Sequence, residues 1–110
     1  MISLFRPLHF EQKEGVSTVV LWLCELFDQQ YSFRVTLSQI EHALGESARV
    51  TYVLPPEQSA EDFVEGSFNW GNRSYSLYFE RSLGYMQFSS PLQANMEALQ
   101  GKLSSSTTVR

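Results

Sequence analysis

Residues 66–90 read GSFNWGNRSYSLYFERSLGYMQFSS, and the register of this stretch decides the fold. If Gly71 and Asn72 form a two-residue hairpin turn, Phe68 faces Tyr75, Gly66 faces Leu77 and Val64 faces Phe79, so apolar residues meet on one face. A second turn, Arg81 to Gly84, sets Phe79 against Met86 and Leu77 against Phe88 on that same face. Two independent turns therefore predict one core face, and a slip of one residue would push all of these side chains into water. Trp70 falls on the core-face register beside the turn, so burial is expected. The opposite face reads Glu65, Ser67 and Asn69 on the first strand, Ser74, Ser76, Tyr78 and Glu80 on the second, and Tyr85, Gln87 and Ser89 on the third.

Outward from the meander the signals are mostly helical. Pro91 opens a helix whose apolar residues Leu92, Met96 and Leu99 recur at helical spacing, with Gly101 ending it. The remainder, KLSSSTTVR, is small and polar and is expected to be disordered, which leaves residues 1–101 as a single domain and 102–110 as a tail. In residues 16–29, VSTVVLWLCELFDQ, the placement of Val16, Val19, Val20, Leu23, Cys24 and Phe27 at i, i+3, i+4 spacing predicts a helix with a broad buried face. The β-branched pair Val19 and Val20 argues the other way, toward a strand. A helix here puts Trp22 on the polar stripe, near the surface under a neighbouring element. YSFRV (31–35) alternates as a short strand does. Thr36, three residues before Gln39, then suggests a capping box for a helix over 37–45, with Leu37, Ile40 and Leu44 inward and Gly45 as its end. RVTYVL (49–54) is a β-rich run stopped by Pro55 and Pro56. The expected fold class is α+β: an antiparallel meander of three to five strands packed on one face by two or three helices.

Composition bounds the function. The chain has 110 residues, a hydrophobic fraction of 43% and a formal charge of -4, which suits one soluble domain with one modest core. The apolar run VVLWLC is closed by Glu25, far short of the roughly 18 residues of a membrane span. The start of the chain lacks the pattern of a secretory signal. A lone cysteine, Cys24, agrees with a reducing compartment, and a cytoplasmic protein is expected.

Charge placement says more than net charge. Between Arg49 and Arg73 there is no Lys or Arg, whereas Glu57, Glu61, Asp62 and Glu65 all fall there. Two readings stand: a solvated acidic loop, or an electrostatic patch that speeds encounter with a basic partner. Nucleic-acid binding is disfavoured, because no basic stripe exists to neutralise phosphates.

Catalytic groups are sparse. Cys24 lies among apolar residues, where a single cysteine acts as a small buried hydrophobe. His42 falls on the outer side of its helix, and His9 has no partner in sequence. No CxxC, HxxxH or acidic calcium loop is present, the glycines are isolated, and Glu61, Asp62 and Glu65 have nothing near them in sequence to separate their pKa values. The expectation is a non-enzyme with no metal and no cofactor. What remains is recognition by surface, since Tyr and Ser on a rigid sheet give large amphipathic contacts with adaptable hydrogen bonding. Tyr78 and Tyr85 either anchor a partner or simply cover the outer sheet face.

The layout of residues 62–101, with GSFNW, SYSLYFE and SLGYMQFSS as a meander followed by a helix, resembles that of bacterial immunity proteins of contact-dependent growth inhibition and other polymorphic toxin systems. The resemblance implies one-to-one neutralisation of a cognate toxin, often a nuclease, by plugging its active site or binding beside it. An acidic, Tyr-containing surface suits such a basic target. The expected contact residues are Glu57, Glu61, Asp62 and Glu65 for steering, Tyr78 and Tyr85 as anchors, and Glu80 as a central charge. The alternative is a non-catalytic structural or adaptor module, forming a homodimer or small assembly through the outer sheet face or an edge strand.

Overall fold

A computed structural model describes residues 1–24, 32–58 and 61–110. In chain order the elements are β1 (Ile2–Leu4), β2 (His9–Lys13), β3 (Val16–Trp22), α1 (Phe33–Gly45), β4 (Val50–Val53), β5 (Phe63–Trp70), β6 (Arg73–Glu80), β7 (Tyr85–Ser90), α2 (Gln93–Ser106) and β8 (Thr107–Val109). Six strands form one antiparallel sheet in the order β2-β3-β7-β6-β5-β4, and β1 pairs in parallel with β8 in a separate two-stranded sheet. The α+β class holds, with a larger main sheet than the expected three to five strands and with two helices among the described residues.

The meander has the register its turns predict. Phe68 pairs with Tyr75, Gly66 with Leu77 and Val64 with Phe79, while Phe79 pairs with Met86 and Leu77 with Phe88. All of these side chains are buried, as is Trp70, whose indole N–H donates to the Leu44 carbonyl at 3.1 Å. Both helices pack on this face. Phe33 of α1 stacks on Phe79 at 4.4 Å, and the Tyr75 hydroxyl donates to the Asn95 carbonyl of α2 at 2.6 Å. The missing side chain of Gly66 leaves the space that the Val53 carbonyl and the Leu54 side chain occupy. Gly84, at φ +70°, lets the Cys24 backbone approach so closely that an added Cβ would lie 2.5 Å from its carbonyl oxygen.

Four expectations are corrected. Residues 16–22 are strand β3 rather than the start of a helix, and residues 25–29 of that reading lie outside the described residues. Strand β3 lies inside the sheet between β2 and β7. Consecutive Val19, Val20 and Leu21 are buried, so apolar residues on both faces erase the alternation that marks a half-buried strand. Second, YSFRV is not a strand over its described part, because α1 already begins at Phe33. Phe33, Thr36, Leu37, Ile40 and Leu44 make one buried helical face while Val35 is exposed. Ser32, not Thr36, stands at the N-cap.

Third, α2 does not stop at Gly101 but runs to Ser106, because Leu103 continues the buried row of Met96 and Leu99. Burying that leucine outweighs the ~1 kcal/mol helix cost of an exposed glycine. Leu92, expected inward, is exposed ahead of the helix. Fourth, the proposed tail is structured. β8 pairs Ile2 with Thr107 and Leu4 with Val109, and Arg110 donates from its guanidinium to the Leu23 carbonyl and from its backbone N–H to the Leu4 carbonyl.

Candidate functional site

The two helices pack on the same face of the main sheet, and among the described residues no helix covers the other, outer face. Alternation along β5, β6 and β7 places Glu65, Tyr78, Glu80 and Tyr85 on that outer face. Glu65 is registered opposite Tyr78 and Glu80 opposite Tyr85. The tyrosine rings lie 6.0 Å apart, tilted by 43°. Both are half-buried, so each shows part of a ring to solvent while resting on its neighbours.

Strand β3 adds a third aromatic that sequence reasoning had put on a helix. Trp22 is registered opposite Tyr85, with ring centroids 5.4 Å apart. Trp22, Tyr85 and Tyr78 thus form one row across three adjacent strands. At the Trp22 end stands Arg6, from the β1–β2 connection, its guanidinium carbon 5.3 Å from the Trp22 ring and 5.6 Å from that of Phe5. At the far side of the sheet Phe63, also on the outer register, is 65% exposed. Neighbouring positions are polar and mutually satisfied: Thr18 and Ser89 share a hydrogen bond of 3.0 Å, and Ser74 donates to Asn69 at 2.7 Å.

The electrostatics of the row follow from its packing. Burial, then a hydrogen bond to Glu80 and the charge of that carboxylate, push the Tyr85 hydroxyl up to about 12. Tyr85 therefore stays protonated at neutral pH. Tyr78 is also raised, first by burial and then by the negative charges of Glu80 and Glu65.

The other acidic candidates do not join this group as a set. Glu61 turns toward α1 and holds Arg34 in a two-pronged ion pair, Nε to Oε1 at 2.9 Å and Nη2 to Oε2 at 2.7 Å. Its side chain is 10% exposed. The hydrogen bond from Arg34 is the main reason its carboxyl lies below the usual range. The carbonyl of Glu61 also takes a hydrogen bond from Arg81 Nε at 2.9 Å, so Glu61 joins α1, the 54–61 connection and the β6–β7 turn. Glu57 and Asp62 are exposed. Glu57 contributes to the field around Arg34, and the Asp62 carbonyl accepts the Arg81 N–H at 2.8 Å.

Of the groups capable of catalysis, Cys24 is buried and His9 stands 3.6 Å from Glu11 on edge strand β2. His42 lines a groove of about 790 Å³ on the helical side, with Val35, Ser38, Glu46, Lys102 and Ser105. Among the described residues no group of three or more metal-ligating side chains comes together, and no helix is long and apolar enough to cross a membrane.

Fold and surface define an α+β protein with a six-stranded antiparallel sheet, helices on one face and an aromatic–acidic row on the other. No family model matches the chain, and comparison with curated proteins and with solved structures found no match.

Proposed function

We propose that the protein is a cytoplasmic immunity protein that binds and neutralises a cognate toxin domain, a nuclease with a basic cleft, without catalysis of its own. The observation that carries the reading is the row Trp22, Tyr85 and Tyr78 with Glu65 and Glu80 beside it. Half-buried aromatics held by a sheet lose little freedom on binding, and flanking carboxylates favour a positively charged target. A nuclease must attract phosphates, so its cleft supplies that charge. Glu57 and Asp62 are left for long-range steering, and Glu61 is assigned to the fold.

The test is protection of cells that express a toxin domain encoded next to this protein. Tyr78→Ala and Tyr85→Ala should each weaken toxin binding by about 2 kcal/mol, roughly thirtyfold, and reduce protection. Unchanged affinity in both variants removes the outer face from the proposal. A second reading, a homodimer, is supported by edge strand β4, where Tyr52 and Val53 are 37% and 68% exposed with no charged residue in the strand. Native mass measurement separates the two: a stable dimer that persists on dilution favours the second.

A further inference from the structure

We infer that the outer row is a site for a guanidinium, and that the partner segment it takes is a basic one presenting an arginine over Tyr78 and Tyr85. The inference rests on the outer face being the contact surface and specifies what that face reads. Its first support is inside the molecule. Arg6 already sets its guanidinium against the Trp22 ring at 5.3 Å, within the roughly 6 Å over which a cation is attracted to an aromatic face. One end of the row is thus occupied by the chemistry proposed for the other.

The second support is the arrangement around the tyrosines. Their rings are 6.0 Å apart and tilted by 43°, so a planar cation above them can contact both. Glu80 opposite Tyr85 and Glu65 opposite Tyr78 put a carboxylate beside each ring. Ser82 Oγ donates to Glu80 Oε1 at 3.2 Å, which leaves that carboxylate acceptor capacity to spare for a guanidinium. Arginine fits better than lysine, since its plane stacks on rings while its edge reaches carboxylates. Arg6 also limits the site: its charge repels a second cation at the Trp22 end and directs the incoming group to the tyrosine end.

A titration of the intact protein needs no toxin. The probe is an acetylated, amidated Gly-Arg-Gly peptide, compared with Gly-citrulline-Gly, which keeps the shape and loses the charge, and with Gly-Lys-Gly. NMR shifts of the Tyr78 and Tyr85 ring protons are the readout. The arginine peptide should move both tyrosines at millimolar concentration, the lysine peptide less, and the citrulline peptide not at all. Glu80→Gln and Glu65→Gln should each weaken the arginine peptide about threefold, and Arg6→Gln should tighten it by removing a like charge. Tyr78→Leu should abolish the shift of the remaining Tyr85 ring, and Tyr85→Leu that of the Tyr78 ring, with backbone spectra confirming the fold. Equal shifts from arginine and citrulline peptides, or none from either, overturn the cation site. A toxin that still depends on Tyr78 and Tyr85 after such a result leaves the immunity reading standing without it.

Discussion

Glu61 shows how far a single residue can depart from what its neighbours in sequence suggest. It sits in an acidic run, yet its carboxylate is engaged by Arg34, 27 positions earlier, and only tertiary structure brings the two together. Sequence distance hides such a pair, whereas Tyr78 and Glu80 were legible because strand alternation alone assigns their face. The ion pair predicts a pH signature. Arg34 holds the folded carboxyl below its ordinary value near 4.5, so its stabilisation is fully present above that pH and is lost as pH falls through the folded value. Glu61→Gln should therefore cost about 2 kcal/mol at neutral pH, and the gap to the native protein should close as the solution is acidified below the ordinary value. Denaturant melts of both proteins across pH 2 to 7 measure it. A gap constant across that range contradicts the ion-pair account.

At the scale of elements, legibility depends on whether one face of the element is wet. β5, β6 and β7 alternate because the outer face meets water, and their register follows from the sequence. β3 does not alternate, because Val19, Val20 and Leu21 are all buried, so apolar side chains stand on both of its faces. A short apolar run buried on two sides has no period of its own, and helical spacing arises there by coincidence. That misreading also hid Trp22, whose place in the row comes from its pairing with Tyr85. The C-terminal segment was obscured differently: its polar composition masks one apolar anchor, Leu103, and a parallel strand partner more than a hundred residues away. Leu103→Ala should destabilise the protein by about 3 kcal/mol by opening a cavity in the core. Urea melts that match the native protein would instead mean that residues 102–110 carry no packing.

For the whole molecule, the division of labour runs through the sheet. One face holds α1 and α2 and supplies the core; the other carries Trp22, Tyr85, Tyr78, Glu65 and Glu80 on a rigid support, with Arg6 stacked at one end. Composition disclosed that the chain lacks catalytic motifs and that its surface includes tyrosine and acid. It did not disclose that β3, some sixty residues earlier in the chain, would pair with β7 and set Trp22 beside Tyr85, in line with Tyr78 of β6. The central claim is that partner binding takes place on this face. Hydroxyl-radical footprinting of the protein alone and in complex with the toxin it neutralises tests that most directly. The account predicts that Trp22, Tyr78 and Tyr85 become protected in the complex while Met1 and His42 in the helical groove keep their reactivity; protection of Met1 and His42 with all three aromatics unchanged would contradict it.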